Sequence, residues 1–459
     1  MVQRVSNPLR LSALSAAVLL ALAACGGGED AANPSALAAA DDGRAQATAA
    51  GPGASLAATT SIVGSIQLVT TTTSGAAASV GSSICAVSAD GNLVLFASDA
   101  TNLVAADSNG IGDLFLKNLA TGATTRITTQ SNGAQIAAGG NCLGTTMTPD
   151  GRLVAFNSGD AVFVKNTQTG LLTQASPPAG IVPQVAGFFG GVLSDDGTKL
   201  VFLTVPQTVY AAAYQFVNTV PARLMLRDLS NGSLVTLATD NGIVAQGEVV
   251  SNRFAISPDG SRVAFVSTSA SLVPGDTNGT ADVFVRDLVT GTTLLVSSTS
   301  NNVPAVTTVC CNSSYWNPTF VSNTQVAFGT GQPSSLGESG LYLKDLTSGA
   351  FSLVLSDVDG GSDAKLSGNA RKVVFTRLYS GFDSRVFVRD RLTGVETLAS
   401  ASASGVASNG SSGGPTISRD GTRVVFGSSA RNLVSPRPPA GVFQIYAKTV
   451  STAAAAAQQ

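Results

Sequence analysis

Residues 254–298 read FAISPDGSRVAFVSTSASLVPGDTNGTADVFVRDLVTGTTLLVSS. Three apolar, β-branched runs (Arg262–Val266, Asp282–Leu288 and Thr292–Val296) follow a shorter one, Phe254–Ile256, and the breaks between them carry Pro-Asp-Gly and Thr-Gly. Runs of this length, without a helical period and bounded by turn residues, are four antiparallel strands of one small sheet. Val263–Val266 and Val283–Val285 are apolar at consecutive positions. A strand reads this way when both faces of its sheet are covered.

The unit repeats. Its first turn recurs as Ser88-Ala89-Asp90-Gly91, Thr148-Pro149-Asp150-Gly151, Ser194-Asp195-Asp196-Gly197, Ser257-Pro258-Asp259-Gly260 and Ser418-Arg419-Asp420-Gly421. Ser322-Asn323-Thr324 and Ser367-Gly368-Asn369 are degenerate copies. An apolar strand ending in Phe follows each: Phe96, Phe156, Phe202, Phe265, Phe328, Phe375 and Phe426. A second turn ending in Gly recurs downstream, for example Asp228–Gly232, Asp287–Gly291 and Asp390–Gly394. There Gly supplies the left-handed residue of a short hairpin, and Asp accepts turn amides. Seven copies spaced 45 to 65 residues apart, with four strands each, predict an all-β, seven-bladed β-propeller over residues 61–450. Such radial repetition keeps a chain of this length compact around many small cores.

The last copy supplies only three strands before an Ala-rich tail, 451–459. The orphan run Ser65–Thr72 resembles the outer strands of other copies, such as Thr124–Thr128. It is therefore predicted to complete the seventh blade and lock the ring.

Ahead of the repeats, Arg4 and Arg10 precede the apolar run Leu11–Ala24, which is too short to span a bilayer comfortably and reads as a signal peptide over residues 1–24. Leu22-Ala23-Ala24-Cys25 resembles the bacterial lipobox, which implies cleavage before Cys25 and acylation of that residue. Gly26 after it implies the outer membrane, and several acyl chains at one residue suffice for stable anchoring. Residues 25–60, rich in Ala, Gly and Pro, read as a disordered tether spanning roughly 30–35 Å.

There is no histidine in the chain. This excludes a Ser-His-Asp triad, a Cys-His pair and any His-ligated metal. The formal charge of −2 becomes −4 once the two signal-peptide arginines are removed. A mildly acidic chain without a basic block argues against nucleic acid. Gly410-Ser411-Ser412-Gly413-Gly414 matches a nucleophile elbow in letters only, since it precedes a strand and has no histidine base.

Ser-Pro-Asp-Gly-x-x-x-Ala-Phe, with Asp-Val-Phe-Val-Arg-Asp-Leu-x-Thr-Gly downstream, resembles the TolB-type WD40-like (PD40) propeller repeat over roughly Ser65–Lys448. The resemblance implies the propeller. The sequence departs from true WD40 repeats in lacking Gly-His and Trp-Asp pairs, with Trp316 standing alone. It also departs from TolB in having no α/β domain ahead of the propeller.

In such a blade the two short turns share one rim, and the longer loops between second and third strands share the other. Loops on a rigid scaffold are where function concentrates, so the loop rim is the expected binding face. Two loops carry the same acidic string, Asp107-Ser108-Asn109-Gly110-Ile111-Gly112-Asp113 and Asp276-Thr277-Asn278-Gly279-Thr280-Ala281-Asp282. Oxygen donors at alternate positions around a Gly make Asp107, Asn109, Asp113, Asp276, Asn278 and Asp282 candidate ligands for calcium. An Asx-rich turn that caps its own amides is the alternative. Asp357-x-Asp359-Gly360-Gly361-x-Asp363 is a weaker string of the same kind.

Cys85 and Cys142 precede inner strands of neighbouring copies, so a disulfide between them is one reading. Their offsets from the next turn differ by three residues, about 10 Å of strand, which argues against it. Adjacent Cys310 and Cys311 read either as a vicinal disulfide or as two thiols. Tyr315 and Trp316, in the same loop, read either as a stacking surface for a partner or as a plug between blades.

Two function classes follow. The first is a monomeric, lipid-anchored, non-enzymatic module presenting its loop rim to an envelope protein or glycan. The second is a carboxylate- or metal-dependent propeller hydrolase or lyase acting on an envelope or extracellular polymer, which needs charged side chains converging at the channel mouth.

Overall fold

The computed structural model describes residues 64–177, 185–206, 223–238, 254–267, 271–274, 276, 282–298, 318–330, 340–356, 362–379 and 383–450. Residues 1–57 form a separate unit, and all described residues belong to the second, Ala58–Gln459. Cys25, Asn278, Cys310, Cys311, Tyr315, Trp316, Asp357 and Asp359 lie outside the described residues.

The second unit is a seven-bladed β-propeller of four-stranded antiparallel blades. From the axis outward, blade 1 runs Ser82–Val87, Leu93–Ser98, Asp113–Asn118, Thr124–Arg126, and blade 2 runs Thr146–Met147, Leu153–Ser158, Ala161–Asn166, Leu172–Gln174. Blade 3 is Val185–Leu193, Lys199–Pro206, Arg223–Asp228, Leu234–Ala238, and blade 4 is Phe254–Ile256, Arg262–Ser267, Asp282–Asp287, Thr293–Leu295. Blade 5 is Thr319–Phe320, Gln325–Thr330, Gly340–Asp345, Phe351–Ser356, and blade 6 is Ser362–Leu366, Lys372–Leu378, Ser384–Asp390, Glu396–Leu398. Blade 7 combines Ser412–Ile417, Arg423–Ser428 and Gln444–Thr449 with the N-terminal strand Ile66–Leu68. In that closure Ile66 faces Lys448, Gln67 faces Ala447 and Leu68 faces Tyr446. The Val69 amide donates to the Ile445 carbonyl at 2.8 Å and the Thr449 amide to the Ser65 carbonyl at 2.9 Å.

The first turn shows why Ser-x-Asp-Gly recurs. Ser88 Oγ donates to Asp90 at 2.6 Å and accepts the Leu93 amide at 2.9 Å, while Asp90 accepts the Asn92 amide at 3.0 Å. Desolvation raises the Asp90 pKa, but the serine hydroxyl and the amides outweigh it and hold the carboxyl below its ordinary value. Gly91 takes φ 71°, a left-handed conformation that suits glycine. In the degenerate copy Asn369 replaces Asp and Ala370 takes φ 55°, so the backbone shape outlasts the motif.

An apolar cluster fills the seam between each pair of neighbouring blades. Between blades 7 and 1, for instance, Val425, Ile445 and Ala447 pack with Val94, Phe96 and Phe115. The phenylalanine of the second strand stacks on an aromatic directly opposite, as in Phe96–Phe115 at 5.6 Å and Phe426–Tyr446 at 5.9 Å between ring centroids. In blade 3 Met225 stands opposite, and Phe202 meets Phe188 of the inner strand instead. Each fully buried ring is worth about 1.5–3 kcal/mol.

Two further devices repeat, the first within a blade and the second between blades. A hydroxyl just after the outer strand accepts an amide of its own third strand, from Thr70 (Ile445), Thr128 (Leu114), Ser176 (Val162), Ser297 (Val283) and Ser400 (Val386). A buried third-strand lysine then reaches the carbonyls after the preceding blade's outer strand. Lys165 bonds Thr129 and Gln130, Lys344 bonds Ser298, and Lys448 bonds Ala401 and Ser402. Lys117 bonds Thr71 and Thr72, which follow the N-terminal strand and so join blade 7 to blade 1. Burial lowers the pKa of all four amines, Lys448 to about 8.

Candidate functional site

The second-to-third-strand loops all leave from one rim and range from two residues in blade 2 (Gly159-Asp160) to the stretch between Pro206 and Arg223 in blade 3. Three of them share an opening that was not recognised in the sequence. In sequence, Ala100-Thr101-Asn102-Leu103-Val104, Ser269-Ala270-Ser271-Leu272-Val273 and Ala430-Arg431-Asn432-Leu433-Val434 follow the second-strand Phe of blades 1, 4 and 7 at the same offset. Each Leu-Val pair packs against an inter-blade cluster. Asn102 accepts the Ser79 amide and donates to the Ala77 carbonyl, and Asn432 does the same with Asn409 and Ala407. The described loops of blades 1 and 7 are therefore anchored at their base. The Leu-Val pair recurring seven and eight residues past the second-strand Phe of blades 1, 4 and 7 is the available signal.

The acidic string of blade 1 is folded into this anchoring. Asp113 accepts the Thr128 hydroxyl, and Gln135 Nε2 donates to Asp113 at 2.7 Å and to Asp107 at 2.9 Å. The Arg126 guanidinium lies 3.7 Å from Asp107 and 3.8 Å from Asp113. Asn109 caps locally, accepting the Ile111 amide and donating to the Ile136 carbonyl. Desolvation raises the Asp113 pKa, against the pull of Thr128 and Gln135. In blade 4 Asp276 and Asp282 are both buried, and Asp282 accepts the Ser297 hydroxyl at 2.5 Å. Among the described residues no group of three or more acidic, cysteine or histidine side chains converges as a metal site.

A disulfide joins Cys85 to Cys142, with the α-carbons 4.7 Å apart. The three-residue mismatch of offsets is absorbed on both sides. Cys85 is the extra residue of a β-bulge between Ile84 and Ala86, and residues 142–144 form a turn instead of extended strand. Ser412, of the elbow-like string, lies in the inner strand of blade 7 and pairs with Ser428 Oγ at 2.8 Å.

Part of the loop rim is apolar. Val80, Ile111, Leu143, Leu378, Val406 and Phe443 are exposed there, on blades 6, 7, 1 and 2 and their crossings, with Leu378 at 66% and Leu143 at 58%. Other exposed apolar side chains, such as Leu171, Val289 and Leu392, are spread over outer strands and turn tips around the circumference.

The axis holds a cavity of about 350 Å³ lined mostly by inner-strand and turn residues, with blade 3 represented only by the turn residue Asp195. Its floor, at the turn rim, is made by the second residues of the Ser-x-Asp-Gly turns, among them Ala89, Pro149, Asp195, Pro258, Gly368 and Arg419. Backbone bonds link four of the seven neighbouring pairs of turns: Ala89 N–H to Pro149, Asp195 N–H to Pro258, Gly368 N–H to Arg419 and Asp420 N–H to Ala89. Arg419 crosses the floor to form an ion pair with Asp195. Its aliphatic stem lies over Gly368, where a Cβ would fall 2.1 Å from Arg419 Cγ. That crowding explains the glycine of the degenerate turn. Sequence reading missed this crossbar because its partners are 224 residues apart.

No family model matches the sequence, and no curated protein does. Solved structures are similar. An oligogalacturonate lyase in complex with manganese is 15% identical, with a TM-score of 0.54 over 86% of this chain and 99% of that one. The oligogalacturonate lyase of Vibrio parahaemolyticus is 14% identical, with a TM-score of 0.54 over 85% and 98%. TolB from Acinetobacter baumannii, whose repeat type the sequence resembles, is also among them at 12% identity, 78% and 81% coverage and a TM-score of 0.36. At such identities the likeness is one of fold. By its own blades and by these similarities, the chain is a seven-bladed β-propeller.

Proposed function

We propose that this propeller is a lipid-anchored, non-enzymatic module of the outer membrane that holds an envelope protein or glycan against its loop rim. The observation carrying this reading is the set of exposed apolar side chains on that rim, Val80, Ile111, Leu143, Leu378, Val406 and Phe443. Exposed apolar side chains held by a rigid frame give a partner apolar area to bury. The Cys25 lipobox supports the address, and the absence of histidine narrows the enzymatic alternatives. In the blade 1 string, which the hydrolase or lyase reading would use, the carboxylate oxygens are engaged by Thr128, Gln135 and Arg126.

The test is photo-crosslinking in intact envelopes, with a photoreactive residue at Phe443 on the loop rim and, separately, at Leu392 on a turn tip. A discrete adduct from Phe443 alone is expected; equal patterns from both, or none, would overturn the reading. Incorporation of a palmitate analogue, lost in Cys25→Ser, is expected from the anchor.

A further inference from the structure

We propose that the central channel is a binding site for a small organic anion, a carboxylate on an apolar body, and that Lys365 is the residue that recognises it. The chain has seven lysines. Lys117, Lys165, Lys344, Lys372 and Lys448 are buried and bonded to carbonyls, and Lys199 is half-buried. Lys365 alone is exposed, and it lines the axial cavity, where the surrounding blades desolvate its amine. It stands two residues before the turn of blade 6. The same place in the other blades holds Ala86, Thr146, Val192, Ala255, Phe320 and Thr416. The ring therefore closes without a charge at this position, and the fold itself does not call for one.

The backbone beside Lys365 is unusual. Four residues before the turn, Gly144, Gly190 and Gly414 have φ between 58° and 70°. In blade 6 the equivalent residue is Asp363, at φ 64°. A non-glycine residue in this region costs on the order of 1 kcal/mol and is kept where the surroundings enforce it. Asp363 accepts the Gly414 amide in the seam between blades 6 and 7. It does not line the cavity, whereas Lys365 does. Lys365 thus lines the channel, while the carboxylate that interacts with it, Asp363, is kept out of the lining.

The remaining lining charges, Arg419 and Asp195, are spent on each other across the floor. Above them the wall is largely apolar, with Met147, Ile256, Phe320, Val321, Leu366 and Ile417. One cation in an apolar cup of about 350 Å³ suits a compact anion with a hydrocarbon or aromatic body. With the floor barred, access is from the loop rim. This inference does not rest on the identity of the rim's partner, and the crosslinking outcome leaves it untouched.

The test is calorimetric titration of the full chain with sodium benzoate. Saturable one-site binding is expected, weakened about tenfold or more in Lys365→Met. In parallel, brief acetylation of the wild-type chain is read by mass spectrometry: Lys365 is expected to react fastest of the seven lysines and to be protected by benzoate. Absence of saturable binding, an unchanged affinity in Lys365→Met, or failure of benzoate to protect Lys365 would each overturn the proposal. The labelling arm decides the matter if the variant does not fold.

Discussion

Arg419 of blade 7 and Asp195 of blade 3, 224 residues apart in sequence, form an ion pair that bars the turn-rim end of the central channel. Both side chains are about one-third exposed (36% each), so water screens the attraction. A double-mutant cycle with Arg419→Ala and Asp195→Ala is expected to give a coupling below about 1 kcal/mol. The bar shapes the cavity more than it stabilises the ring.

Gly368 reports on the same bar from beneath. A methyl added there would overlap the Arg419 stem, with Cγ at 2.1 Å. Gly368→Ala is expected to destabilise by about 1–3 kcal/mol, and less in an Arg419→Ala background, where only the Arg419 carbonyl at 3.0 Å remains close. Urea unfolding of the four chains measures the difference. Equal costs in both backgrounds would show that Arg419 does not lie over this glycine.

The Cys85–Cys142 bond joins the inner edge of blade 1 to the turn entering blade 2, across a sequence separation of 57 residues. Replacing both cysteines by serine is expected to lower stability by about 2–4 kcal/mol. Non-reducing peptide mapping checks the pairing itself, and recovery of Cys85 and Cys142 as free thiols would contradict it.

Alkaline pH separates two buried groups of the last strand. In the unfolded chain Lys448 keeps its proton to its ordinary 10.5, whereas burial brings the folded value to about 8. Between these values the unfolded state binds more protons, so stability rises with pH, by on the order of 3 kcal/mol for this group. Tyr446 is the opposite case: burial moves its hydroxyl from 10.0 to about 12, and its hydroxyl donates to the Ala430 carbonyl at 2.9 Å. The folded state then holds the extra proton, and stability falls as pH rises through that window. Unfolding free energies across this range are expected to peak near pH 10. Lys448→Met should reduce the rise, to which the other buried lysines also contribute, and Tyr446→Phe should remove the fall.

The fold was legible because its information is local and repeated. Ser-x-Asp-Gly satisfies its own donors within six residues, as Ser88–Leu93 shows, so the motif marks the turn wherever it occurs. Even the closure by Ser65–Thr72 followed from counting strands. What escaped reading is held between blades. The reach of Lys117 to Thr71, the Gln135 amide shared by Asp107 and Asp113, and the crossbar from Arg419 to Asp195 join residues tens to hundreds of positions apart. The acidic strings matched a calcium loop in composition, but Arg126 and Gln135, downstream of the blade 1 string, engage its carboxylates. Lys365, as a letter, differs in nothing from the structural lysines. Only its place on the axis sets it apart.

The ring itself is tested most directly by hydrogen exchange along Gln444–Thr449. In the full chain the Thr449 amide, bonded to the Ser65 carbonyl at 2.9 Å, is expected to be protected, and a chain starting at Thr73 should lose that protection along with cooperative unfolding. Rapid exchange at Thr449 in the full chain, or identical protection in both, would contradict closure of the seventh blade by the N-terminal strand.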